Sequence, residues 1–229
     1  MTITPNFLFR SAAVAAVAAG LLFIGIQLGH PHSDVTAVTS TEWAVRNSAK
    51  VVMGALALVG ITGMYLRQVK QVGRLGLLGY LVFAAGYLCI IGVTFVSAFV
   101  LPPIAETDPG YVNDVLAAAT NGAAVGDIGL MQSVLNIMGL TYLGGGILFG
   151  IALFRARVLA RWAAVLLALA SLFTASLAIL PDAFFRLLAF SNSIALIGLG
   201  VSLWLSTRME PEISPVAVGA EPLAATSVR

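Results

Sequence analysis

Six long apolar runs, separated by more polar segments of different lengths, divide this chain. They cover residues 11–28, 51–66, 75–101, 128–154, 162–180 and 187–207. A helix that crosses a bilayer needs roughly 20 apolar residues, and a helix satisfies its own backbone hydrogen bonds in lipid. The pattern therefore predicts an all-α, polytopic membrane protein, with a bundle of six transmembrane helices in residues 1–208. Residues 209–229 carry three prolines and small side chains, so we predict a disordered tail there.

Composition excludes the soluble classes. The chain is 59% hydrophobic and only 10% charged, and its mean hydropathy is +0.99. Soluble domains carry about 25% charged residues, and disordered chains combine low hydrophobicity with high charge. The formal net charge of +2 is too small to indicate a nucleic-acid partner. The first run has an apolar core longer than that of a signal peptide and no A-x-A site after it, so we interpret it as an uncleaved helix.

The basic residues indicate which way the bundle faces. Lys and Arg concentrate in cytoplasmic loops. Nine of the twelve lie at the N-terminus, in the second-to-third and fourth-to-fifth links, or in the tail: Arg10, Arg67, Lys70, Arg74, Arg155, Arg157, Arg161, Arg208 and Arg229. Seven of the ten acids lie on the opposite side. Both termini are therefore expected in the cytoplasm, with the protein in the cell's cytoplasmic (inner) membrane.

Two of the predicted outer loops are long enough to fold. In the first, the string from Ser40 to Trp43 begins a helix, because a hydroxyl residue precedes an acidic first turn. In the second, Pro102-Pro103 ends the third apolar helix. Residues 111–119 have a helical pattern, so we expect a short helix lying on the outer surface.

Groups that would perform acid–base or redox chemistry are missing from the predicted spans. No Asp, Glu, Lys, Arg or His lies in the middle of any span, although such groups mark proton and ion pathways. Intramembrane haem would need an axial ligand such as His. We therefore predict no enzymatic activity, no catalytic residue and no cofactor. His30, His32 and Asp34 lie in one loop and could supply three ligands to a metal ion. The alternative is a solvated loop without metal, and this is what we expect.

A few polar residues within the apolar runs are the candidate binding site. Gln132 and Asn136 are four apart, so they share one face of the fourth predicted span, and Asn192 lies in the sixth. One interpretation is a polar patch that binds the headgroup of a ligand. The other is hydrogen bonding between helices, which contributes about 0.6 kcal/mol on average.

The layout of spans and loops over residues 7–207 resembles bacterial six-span membrane proteins grouped as domains of unknown function. The residues that carry the resemblance are Arg74 and Arg161, which open the third and fifth spans, and the glycines Gly79 and Gly198. This resemblance implies the six-span fold and transfers no catalytic residue. The leading hypothesis is a non-enzymatic envelope or interaction component. The alternative is a carrier or binder of a small apolar or lipid-like molecule through Gln132, Asn136 and Asn192. The expected partners are the lipid bilayer and either such a ligand or another membrane protein.

Overall fold

Helices make up most of the chain in the computed structural model, which describes residues 4–28, 34–120, 122–175 and 183–208. In order, they are α1 (Pro5–Gln27), α2 (Val35–Val38), α3 (Thr41–Arg67), α4 (Val69–Phe99), α5 (Leu101–Thr107), α6 (Pro109–Ala119), α7 (Leu130–Ala156), α8 (Arg161–Ala175) and α9 (Ala183–Ser206). No strand occurs within these described ranges. The prediction of an all-α protein is confirmed.

Each of the six apolar runs falls on one of the longer helices. Four of them, α1, α3, α4 and α7, are long and apolar enough to cross a membrane. The apolar parts described for the other two are shorter, Arg161–Leu172 in α8 and Phe190–Ser206 in α9. The last residues of the fifth predicted span, 176–180, and the predicted tail, 209–229, lie outside the described residues. The four long helices make this a membrane-embedded protein.

Local sequence signals explain where several helices begin. The Ser40 hydroxyl accepts a hydrogen bond from the backbone N–H of Trp43 at 3.2 Å, so α3 begins at the predicted string. The Asp108 carboxylate accepts one from the N–H of Tyr111 and begins α6. Gly73 has a φ of +59° and interrupts α4 just after its first turn. Only glycine adopts this backbone conformation without strain.

The six helices that carry the apolar runs form a closed ring. Its order is α1, α3, α4, α7, α8, α9 and back to α1, and each helix packs against the next. Neighbours in the ring run in opposite directions: Gly79 of α4 lies beside Phe149 of α7, and Gly86 lies beside Tyr142. The main hydrophobic core draws on all six helices. Large apolar side chains also remain exposed around the ring, as expected for a surface that contacts lipid.

Close backbone contact holds α4 and α7 together. A Cβ added at Gly79 would lie 2.6 Å from the backbone nitrogen of Phe149, so the two helices touch without an intervening side chain. Aromatic rings fill the space beside this contact. The ring of Phe83 has its centroid 4.9 Å from that of Tyr87, 5.4 Å from that of Tyr142 and 6.2 Å from that of Phe149. The interior between α4 and α7 is therefore filled by packed side chains.

The short helices form a separate structure at one end of the ring. We call α2, α5, α6 and residues 122–129 the cap. Its members share a second hydrophobic core with the start of α3, and the buried side chains of this core are Val38, Trp43, Leu101, Ala105, Val112, Val115, Leu116 and Ile128. The indole Nε1–H of Trp43 donates to the carbonyl of Ser97 in α4 at 2.8 Å, which ties this core to the ring.

The opposite end of the ring is rich in arginine, and we call it the basic end. Arg67 at the end of α3 donates to the side-chain and backbone oxygens of Ser206 at 3.2 and 3.0 Å. Arg10 in α1 donates to Thr207 at 3.2 Å. The guanidinium of Arg161 lies 4.1 Å from the ring centroid of Phe154. These contacts place the start of α1 and the ends of α3 and α9 together.

Candidate functional site

Two of the three predicted site residues are in contact. The Gln132 side-chain amide donates to the Asn136 side-chain oxygen at 3.1 Å, so these residues share one face of α7. The surrounding turn is open, because Leu130, Ile137 and Leu140 are exposed by 83%, 52% and 75%. The pair therefore lies on the exposed flank of α7 near the cap, outside the packed interior of the ring.

The third residue, Asn192, is in a different environment. It is buried on α9, with only 3% of its surface exposed. Its helix packs chiefly against α1 and α8, whereas α7 packs chiefly against α4 and α8. Its side-chain oxygen has no hydrogen-bond partner within the described part of the chain. The structure thus joins Gln132 to Asn136 and places Asn192 in a separate helix contact.

The other polar candidates take part in local packing. Thr141, a further polar residue of the fourth apolar run, donates its hydroxyl to the carbonyl of Ile137 in its own helix at 2.6 Å. Asp34 accepts the N–H of Ala37 at 2.8 Å and begins α2. His30 and His32 lie outside the described residues. Among the residues that are described, no group of three or more His, Cys, Asp or Glu side chains is placed to hold a metal ion.

The cap carries a concentration of negative charge. The segment 101–129 contains four acidic residues and no Lys, Arg or His. Each is partly or fully at the surface: Glu106, Asp108, Asp114 and Asp127. With four carboxylates and no cation in this segment, the cap presents a negative field to solvent.

One carboxylate also fixes the shape of the cap. The two oxygens of Asp114 in α6 accept the backbone N–H groups of Val125 and Gly126 at 2.8 and 2.9 Å. This bidentate contact holds the segment 122–129 against α6 and leaves the Val125 side chain 97% exposed. Asp127 then accepts the N–H of Gly129 at 2.7 Å, just before α7.

Sequence reasoning predicted a surface helix here and missed the folded cap. A signal was present in α6, where Val112, Val115 and Leu116 recur at helical spacing and form one buried face. Some partners of that face come from α5, which directly precedes α6, but the others come from α2 and the start of α3, which are distant in sequence. No local pattern identifies such partners, so the acidic residues were counted only as loop charges.

The chain matches no protein-family model, no curated protein and no solved structure. Its function is therefore inferred from the arrangement of its own residues.

Proposed function

We propose that this chain is a six-span protein of the cytoplasmic membrane, with both termini in the cytoplasm, that acts as a non-enzymatic interaction component of the cell envelope. In this role the ring of helices is the anchor, and the acidic cap is the surface that a partner contacts. The observation that carries the proposal is the cap itself: a folded unit with its own hydrophobic core and four carboxylates in a segment without cations.

The packing of the ring supports an anchoring role. Backbones of α4 and α7 meet at Gly79 and Gly86, and α1 and α3 meet where Gly60 lies against Ala16. Small residues at such contacts let membrane helices approach closely and stay together. A solid bundle of this kind favours a structural or interaction role over transport through its centre.

The distribution of charge supports the six-span topology and its direction. Eight of the eleven Lys and Arg residues in the described ranges lie at the basic end. All six described acids lie at the cap end. Cytoplasmic loops are the ones enriched in Lys and Arg, so the basic end is assigned to the cytoplasm and the cap to the outer side.

Site-specific photo-crosslinking in intact cells tests the interaction role. A photoreactive residue replaces Val125, which is 97% exposed on the cap. We expect a discrete protein adduct, and we expect Glu106→Lys to reduce its yield because the cap would recognise a basic partner. Rising salt in isolated membranes should also weaken it, since ions screen charges separated by more than about 8–10 Å.

The same probe at Leu78 serves as the matched control. Leu78 is 53% exposed on α4 and lies toward the basic end, away from the cap. We expect no adduct of the same mass from that position. If the probe at Val125 captured no protein, and native mass spectrometry instead found a small molecule lost in Gln132→Leu and Asn136→Leu variants, the protein would be a carrier.

A further inference from the structure

A groove opens on the ring between α1 and α3, close to the cap. Its volume is about 760 Å³, within the range of roughly 300–1,000 Å³ that ligand sites occupy. Most of its wall is apolar, with Leu21, Leu22 and Gly25 from α1 facing Val45 and Ala49 from α3. Neither α1 nor α3 closes over the groove, so the groove opens on the outer surface of the ring.

One end of the groove is charged. Arg46 is ion-paired with Glu42 at 2.8 Å, and Nε and Nη2 of its guanidinium both lie on the same carboxylate oxygen, Oε1. Its Nη1 donates to the backbone oxygens of Ile26 and Leu28 at 2.8 and 2.9 Å, at the end of α1. A guanidinium has five N–H donors, so one Nη2–H remains after these four contacts.

The carboxylate also has spare capacity. The contacts described for the Glu42 side chain fall on Oε1, and within the described part of the chain no hydrogen bond is made to Oε2. The Glu42 side chain is 56% exposed and that of Arg46 is 20% exposed. The end of the groove therefore offers one cationic donor and one anionic acceptor side by side.

We propose that this groove binds one phospholipid whose headgroup carries both a phosphate and a primary amine. One of its two acyl chains lies against Leu22, Gly25 and Ala49. The phosphate accepts the remaining N–H of Arg46, and the ammonium donates to Oε2 of Glu42. This occupant is favoured by charge complementarity, because a purely anionic headgroup would meet the Glu42 carboxylate, and a quaternary amine has no N–H to donate to it.

Native mass spectrometry of the full chain tests this site. The detergent-purified protein is mixed with equal amounts of phosphatidylethanolamine, phosphatidylcholine and phosphatidylglycerol with identical acyl chains. We expect one phosphatidylethanolamine to be retained with about a tenfold preference, the factor that one charge-assisted hydrogen bond supplies. Equal retention of the three lipids would overturn the proposed headgroup site.

Gly25 offers a way to fill the groove without disturbing the ring. A Cβ at Gly25 meets no atom within 4 Å, and the same is true of Gly92 on α4. Gly25→Trp should therefore abolish lipid retention, whereas Gly92→Trp, the matched control, should leave it unchanged. If both variants lost the lipid, or neither did, the groove would not be its binding site.

A second variant separates the headgroup from the chain. Glu42→Gln removes the carboxylate and keeps the shape of the side chain, so the protein should still retain one lipid but lose its preference for phosphatidylethanolamine over phosphatidylcholine. This result stays decisive even if Gly25→Trp fails to fold. An unchanged preference in Glu42→Gln would contradict the role given to Glu42. Because Val125 on the cap is not part of the groove, the crosslinking result is independent of these outcomes.

Discussion

At the scale of single residues, the separation of α4 and α7 is set by the absence of side chains. At Gly86, an added Cβ would lie 2.6 Å from the backbone nitrogen of Tyr142 and 2.7 Å from its Cα. Backbone atoms cannot rotate out of the way, so Gly86→Ala must push the two helices apart. We expect the free energy of unfolding to fall by about 1–3 kcal/mol, as in other overpacked cores. Unfolding in mixed micelles with increasing SDS measures this change.

The same substitution six residues further along α4 is the control for that prediction. Gly92 has no atom within 4 Å of an added Cβ. Gly92→Ala should leave the free energy of unfolding unchanged or raise it by up to about 1 kcal/mol, because alanine is the better helix former. If both variants lost the same stability, helix contact would not be the cause.

At the scale of elements, the sequence predicts helices well because apolar length and capping are local properties. The run over 51–66 and the string from Ser40 to Trp43 together place α3 (Thr41–Arg67) within a few residues. The pair Pro102-Pro103 is likewise consistent with the end of α4, since both prolines fall in the first turn of α5.

The neighbours of each helix are not predictable in the same way. Gln132, Asn136 and Asn192 form one predicted site because each is a polar residue within an apolar run. Hydropathy indicates how deep a residue lies in the membrane. It carries no information about which helices pack against each other. The order of the ring is set instead by matched small residues, such as Gly20 against the backbone of Ser193. This order exposes Asn136 and buries Asn192.

The contact between Asp114 of α6 and the segment 122–129 of the cap leads to a prediction about that segment. Asp114→Ala removes the acceptor of the Val125 and Gly126 N–H groups, so the segment 122–129 should detach from α6. Hydrogen–deuterium exchange should then rise in 122–129 while α4 stays protected, because fewer hydrogen bonds oppose local opening. Glu106→Ala, which removes an exposed carboxylate of the same cap, should leave exchange in this segment unchanged. Equal exchange in both variants would show that Asp114 does not hold the segment.

At the scale of the whole molecule, charge separates the two ends of the ring. The basic end holds eight described cations, including Lys70, and no acid within the described ranges. The cap end holds six described acids together with Arg46, Lys50 and Arg186. Positive charge in short loops resists translocation across the membrane, whereas Asp and Glu contribute little to orientation. The proposed orientation of the ring therefore rests on the eight cations rather than on the acids.

Cysteine labelling tests that direction. In a Cys89→Ala background, which removes the chain's single cysteine, Val125→Cys places a thiol on the cap and Lys70→Cys places one at the basic end. A membrane-impermeant maleimide should label the Val125→Cys variant in intact cells and the Lys70→Cys variant only after the membrane is broken. Labelling of both in intact cells would place the two ends on the same side and contradict a spanning ring. Labelling of the Lys70→Cys variant alone would show that the protein is inserted in the opposite orientation. Its most basic end would then face outward, against the rule that Lys and Arg concentrate in cytoplasmic loops.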